Sequence, residues 1–238
     1  MSERFKDRTD AGRQLAALLA PLRGSNVLVL GLPRGGMAVG LEVARALGAP
    51  LDALNVRKLG VPWREELAMG AVATGGVRVL NPDVIMTLGI TKADIEETAR
   101  LQTLELDRRE RLYRNGRPAP ELRGRIVVLV DDGIATGATV RAAISVIKAQ
   151  HPSRLVLAIP VAQQSVVSEL EREVDQVVCV SAPGDLYAIG FWYDHFPQLT
   201  DADVQRILAA AAAAPAAALM DVGPRAGKLN GEERKAPA

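Results

Sequence analysis

With 238 residues, 48% of them apolar, the chain is long enough to bury a full core, and its one core pattern indicates one domain. The 29 Lys and Arg nearly balance the 28 Asp and Glu, which excludes a general basic field for nucleic acid and points to a small-molecule ligand. One cysteine, Cys179, excludes a disulfide framework and a cysteine-based zinc site; no signal core or membrane-spanning apolar run stands out, so a cytoplasmic location is expected.

Asp10 is placed to cap a helix whose Leu15, Leu18, Leu19 and Leu22 share one face and which Gly24 closes. Asn26 to Leu30 reads as a first strand. It runs into GLPRGGMAVG, residues 31–40, and a helix ending at Gly48 and Pro50. No Lys-Ser or Lys-Thr follows these glycines and the spacing of a dinucleotide fingerprint is absent. A tight strand-to-helix turn that needs glycine for close packing also accounts for the loop.

Leu51 to Lys58 reads as a second strand, and Leu67 to Leu80 as a hairpin broken at Thr74-Gly75-Gly76. Between them, LGVPWREE at residues 59–66 joins Gly, Pro, Trp63 and mixed charge, the composition of a mobile loop, directly after Arg57-Lys58. Asn81-Pro82 starts a short helix, and Thr91 with Asp94 a longer one reaching about Arg114. Along it Glu96 and Arg100, Glu105 and Arg109, and Glu110 and Arg114 are spaced as ion pairs on a solvated face, where no chemistry is expected. The stretch of about 81–115 is a helical insertion that serves as a cover, a loop support or a dimer contact.

Residues 126–139, IVVLVDDGIATGAT, organise the rest. Ile126 to Val130 is apolar without alternation, as in a strand covered on both faces. Asp131 and Asp132 then stand at its carboxyl end, followed by small residues and two threonines that leave backbone N–H groups open to an anion. The acids would repel that anion, so they face hydroxyls or a divalent cation. A strand, an Asp-Gly turn and a Thr-capped helix explain one acid and one Thr, but not two of each.

A helix to Gln150, a strand at Leu155 to Ile159, a helix at Ser165 to Arg172 and a strand at Gln176 to Val180 follow. The expected fold class is α/β, a parallel central sheet flanked by helices. His151 falls in a connection. Residues 181–200 carry five of the eight aromatic side chains: Tyr187, Phe191, Trp192, Tyr193 and Phe196. Such a concentration of aromatics reads as a small core that pins a loop onto the sheet or as a ligand contact, and Asp194-His195 reads as an acid-base pair or, more commonly, as an exposed polar dipeptide. A last helix starts at Asp201 or Asp203, and residues 211–238 read as a disordered Ala/Pro-rich tail.

The strand, acid pair, small residues and Thr-Gly-x-Thr of residues 126–139 resemble the phosphoribosyl pyrophosphate (PRPP) motif of type I phosphoribosyltransferases. With PRGG at 33–36, the RKLG to ELAMGAV stretch and FWYDHFPQLTD, the chain looks like a branch of predicted phosphoribosyltransferases over about residues 5–208. The resemblance implies a type I fold with a small hood at about 181–200. It also implies exchange of the pyrophosphate of PRPP for a nitrogenous, aromatic acceptor, with Mg2+ as cofactor. By the same resemblance Gly133, Ala135, Thr136, Gly137, Ala138 and Thr139 hold the 5-phosphate. Asp131 and Asp132 hold the ribose hydroxyls and, directly or indirectly, the metal. Pro33, Arg34, Gly35, Gly36, Arg57 and Lys58 face the pyrophosphate, with Arg64 on a closing loop, and Arg34 and Lys58 neutralise it as it departs. Trp192 and Tyr193 hold the acceptor. A cytoplasmic homodimer of nucleotide metabolism is implied, without nucleic-acid or membrane partners. Ala135 stands where oxopurine-specific members carry a third acid, which argues against hypoxanthine and guanine. A PRPP-binding regulator and a hydrolase of phosphoribosyl compounds are the alternatives.

Overall fold

A computed structural model describes residues 4–114 and 116–213. In chain order they form α1 (Arg8–Leu18), β1 (Val27–Gly31), α2 (Gly35–Leu47), β2 (Leu51–Ala53), β3 (Val56–Val61), β4 (Arg64–Ala73) and β5 (Val77–Leu80). Then come α3 (Pro82–Leu88), α4 (Lys92–Arg114), β6 (Ile126–Val130), α5 (Ala138–Lys148), β7 (Arg154–Val161), α6 (Gln164–Leu170), β8 (Gln176–Ser181) and α7 (Asp201–Ala213). Asn115 and the proposed tail beyond Ala213 lie outside the described residues; residues 211–213 continue α7.

Five strands make a parallel sheet in the order β2-β1-β6-β7-β8. Side chains alternate across it, so Leu28, Leu30, Val127, Leu129, Leu155 and Leu157 enter one core with α5, while Val27, Val29, Val128, Val130, Val156 and Ala158 enter a second with α1 and α2. Apolar cover on both faces is why β6 shows no polar alternation. Leu15, Leu19 and Leu22 are buried as expected, but Leu18 is exposed, and the cap of α1 is Asp7, whose carboxylate accepts from Asp10 N at 2.8 Å.

The expected strand over residues 51–58 is two strands. Leu54 and Asn55 break it, and β3 leaves the parallel sheet to start a second, antiparallel one in the order β3-β4-β5. Residues 59–66, expected as a mobile loop between a strand and a separate hairpin, are the β3-β4 turn and its flanking strand ends, with the register shifting at Gly60. One face of this sheet, through Val56, Ala71, Ala73, Val77 and Val79, joins the α5 core. The other, through Leu59, Val61, Met69 and Val72, packs on Ile90, Ile95, Ala99 and Leu106. The helical insertion is therefore a cover for the antiparallel sheet.

Its charges depart from simple solvated pairs. Glu105 and Arg109 pair at 2.8 Å, whereas Glu96 takes Arg78 at 2.7 Å and Arg100 takes Glu97 at 2.8 Å. Arg114 is buried, pairing with Glu110 and with Asp52 at 2.6 Å, and so ties α4 to β2.

Candidate functional site

From β1 the chain moves outward to β2, and from the adjacent β6 it moves the other way to β7. Loops leaving the carboxyl ends of two such strands diverge, and the crevice between them is where open α/β sheets bind ligands. Here the turn after β1 and the first residues of α2 carry Pro33 to Gly36, and the loop after β6 carries Asp131 to Gly137. They touch: Leu32 N donates to the Val130 carbonyl at 2.9 Å. A Cβ on Gly35 would lie 1.8 Å from Asp132 Oδ2, and one on Gly36 would lie 2.5 Å from the Val130 oxygen. Both glycines are needed for contact, not for a left-handed backbone. The Pro33–Arg34 peptide is cis.

The two acids are half-buried. Burial, then repulsion from Asp132, holds the Asp131 carboxyl well above the usual carboxylate range. Arg8 fixes Asp132: its Nε donates to Oδ2 at 2.7 Å, with the two side chains only 10% and 14% exposed. Arg8 also donates through Nη1 to the Pro197 carbonyl at 2.8 Å and lies over the Phe196 ring, 3.7 Å from its centroid. Sequence reasoning passed over this residue. A charged side chain ahead of the expected cap at Asp10 reads as solvated, and its partner is 124 positions away.

Gly137, at φ 77°, caps α5 without a side-chain hydrogen bond, so the first-turn N–H groups and the positive end of the dipole can receive an anion. Ala135, Thr136 and Thr139 are exposed beside it and Ala138 is half-buried. Arg141 steadies the loop, donating to the Thr136 carbonyl at 3.1 Å and pairing with Glu169 at 2.6 Å and Glu173 at 2.8 Å. Gly133 packs under the aromatic segment, since a Cβ there would lie 2.5 Å from Ile189 Cγ2.

Arg57 and Lys58 are neighbours on β3 and turn to opposite faces. Arg57 faces α4, with Nη2 3.4 Å from Glu105. Lys58 pairs in register with Ala71 on the α5 side and lines a cavity of about 650 Å³ with Thr136, Ala138 and Arg141. Both also line a second cavity, about 740 Å³, with Pro33 and Thr139. Arg34 is half-buried at the start of α2. Arg64 is exposed at the start of β4.

The aromatic segment needs one correction. Tyr193, expected as an acceptor wall, is 1% exposed, packs on Phe5 and Phe196, and donates its hydroxyl to the Asp132 carbonyl at 2.6 Å. It stands behind the acid pair as a support. The cause is long-range: Phe5 bridges to Tyr193 and brings the chain start against it. Trp192 is partly buried in that cluster, whereas Phe191 and Tyr187 are 71% and 92% exposed. Asp194 and His195 are exposed, and Asp194 pairs with Arg4.

Among the described residues no three His, Cys, Asp or Glu stand together as a metal cage. Of the acid pair only Asp131 lacks an arginine partner of its own, so the donor set fits a magnesium ion that brings most of its oxygen ligands with the substrate. No helix among the described residues is long and apolar enough to cross a membrane.

The sequence matches the family described as "Phosphoribosyl transferase domain" over residues 3–191. Proteins from two strains of Mycobacterium tuberculosis, each named "Putative phosphoribosyl transferase", are 49% identical over 204 residues, which is 86% of this chain and 46% of theirs. The chain thus spans about half the length of these curated relatives. Among solved structures, TT1426 from Thermus thermophilus superposes with a TM-score of 0.81 at 46% identity, covering 86% of this chain and 97% of that one.

Proposed function

The chain belongs to the phosphoribosyl transferase domain family, and on that premise we propose that it transfers a phosphoribosyl group from PRPP to a nitrogenous acceptor and releases pyrophosphate. The observation that supports this reading most is the meeting, at one switch point, of the Pro33–Gly36 loop, the acid pair and the uncapped start of α5. Each offers a different part of PRPP what it needs. Open N–H groups and Thr136 and Thr139 hydroxyls receive the 5-phosphate. Asp131 and Asp132 accept from the ribose hydroxyls. Arg34, Arg57 and Lys58 stand toward the pyrophosphate. Asp131 would hold magnesium together with substrate oxygens, and the ion would supply charge neutralisation for the leaving group.

The C1–oxygen bond breaks with its electron pair leaving on pyrophosphate, and the acceptor nitrogen forms the new bond with its lone pair and releases its proton to solvent. The work of the chain is positioning and charge stabilisation, and no protein nucleophile is required. Attack opposite the leaving group places the acceptor across the crevice from Pro33–Gly36, on the side where Ile189 packs against Gly133. Trp192, which follows the exposed Phe191 in the chain, is the proposed acceptor wall.

The test is a screen of nucleobases and small amines with PRPP and magnesium, reading pyrophosphate release. Release that depends on one acceptor class is expected. Release without any acceptor identifies a hydrolase, and PRPP binding without release identifies a regulator. Gly35→Ala is a second check. The added methyl must displace the Asp132 carboxylate, which removes at least one charge-assisted contact to ribose, so PRPP affinity falls about tenfold or more. Overpacking lowers stability by about 1–3 kcal/mol. Unchanged PRPP affinity in Gly35→Ala would separate the glycine loop from the site.

A further inference from the structure

The helical insertion looked like a plain cover, yet α4 forms one wall of the cavity of about 740 Å³ whose other walls are Pro33, Thr139 and the β3-β4 hairpin. Arg109 lines it from α4, opposite Arg57 and Lys58 from β3. Both arginines converge on one oxygen. Arg109 Nε donates to Glu105 Oε1 at 2.8 Å, and Arg57 Nη2 lies 3.4 Å from the same atom.

Glu105 is therefore the shared counter-ion of two cavity-lining guanidiniums, and Arg108 adds a third contact at 2.8 Å. Hydrogen bonds from Arg108, and then from Arg109, push its carboxyl down to about 2, so it carries its charge throughout the physiological range. Arg57 Nε is buried without a hydrogen-bond partner, which leaves part of that fork unused. Of the other acids that line the cavity, Glu97 is clamped by Arg100, Asp94 closes the Thr91 cap, and Glu65 is exposed near the hairpin turn.

We propose that α4 is part of the substrate site: Arg109 joins Arg57 in binding the pyrophosphate group, and Glu105 pairs with both arginines where a phosphate oxygen would otherwise sit. Guanidinium forks match phosphate and carboxylate oxygens alike, so an entering polyanion can exchange with the carboxylate without either arginine being left unpaired. The inference rests on the PRPP reading and adds to it a competing anion supplied by the insertion. Glu105 then sets the affinity for pyrophosphate, whereas the 5-phosphate, bound at α5, is indifferent to it.

The test titrates the full chain with magnesium pyrophosphate and, separately, with ribose 5-phosphate, in unmodified protein and in Arg109→Ala, Arg109→Gln and Glu105→Gln. Loss of one charge-assisted contact should weaken pyrophosphate binding about tenfold in either Arg109 variant, with ribose 5-phosphate affinity unchanged. Glu105→Gln should tighten pyrophosphate binding several-fold, because the competitor is gone. Arg109→Gln keeps the helix packing if Arg109→Ala does not fold. Equal pyrophosphate affinity in the Arg109 variants overturns the inference. So does a Glu105→Gln variant that binds more weakly, since the acid would then merely hold the arginines, and so does a parallel loss of ribose 5-phosphate binding. An unmodified protein that binds ribose 5-phosphate but not pyrophosphate overturns this inference alone. One that binds neither overturns the PRPP reading as well.

Discussion

Replacing Arg8 by Met should cost more stability than any other single exchange near the site. Arg8 and Asp132 form an ion pair exposed by only 10% and 14%, and Met fills a similar volume without the charge. Removing one partner of a buried pair leaves the other uncompensated, a loss of about 3–5 kcal/mol. For a chain of this size each kcal/mol moves the thermal midpoint by about 2–4 °C, so a fall of roughly 10 °C is expected. Three further contacts go with it: the Pro197 hydrogen bond, the stacking on Phe196 and the attraction that restrains the upward shift of Asp131. Arg8→Lys should recover part of the loss, because an ammonium restores charge but neither the stacking nor the second donor to Pro197. Adding Asp132→Asn to Arg8→Met should also recover part of it, since the orphan charge is removed. Thermal melts of the three variants measure this coupling directly. A shift below about 2 °C in Arg8→Met, less than a single kcal/mol would produce, or no recovery in the double variant, would mean that Arg8 is dispensable to the acid pair.

The contrast between Arg8 and Asp131 shows which parts of the site a sequence can carry. The acid pair lies in a contiguous run whose apolar strand, small loop and helix start are all local features; β6 begins at Ile126 as the pattern predicts, and α5 follows the loop from Ala138. The glycine loop is equally local, although the reason for Gly35, the carboxylate it faces, comes from Asp132 on another strand's loop. Arg8, Tyr193 and Glu105 owe their roles to pairings across the fold. Tyr193 is neighbour to the exposed Phe191 and to Trp192, and only the bridge to Phe5 decides which ring turns inward. Residues 59–66 misled for a different reason. Gly60 and Pro62 are turn-type residues, but Gly60 sits at a register shift where a Cβ would lie 2.6 Å from the Glu65 carbonyl oxygen, so it serves the hairpin by close approach. Likewise the acid-first spacing along α4 indicated a solvated face, and it is the cavity beneath that gives Glu105 and Arg109 a second meaning.

The second large effect concerns the acids themselves. Asp131 is held above the usual carboxylate range in the empty protein by burial and by Asp132, a cost that a ligand offering hydroxyl donors and a cation relieves. Asparagine at both positions keeps the size, and an amide oxygen still accepts, but the charge that attracts magnesium and strengthens the hydroxyl contacts is gone. Losing two charge-assisted contacts of about 1.5–3 kcal/mol each should weaken binding by about 100-fold or more. Asp132→Asn also weakens the Arg8 pair, so the melt of the double variant is recorded first, and the titration is made at a temperature where it is folded. The deciding measurement is a calorimetric titration of magnesium PRPP into the unmodified protein and into Asp131→Asn with Asp132→Asn. Saturable binding that is lost in the folded double variant is the predicted result. No binding to the unmodified protein, or equal affinity in the two, would contradict the assignment of this crevice to PRPP.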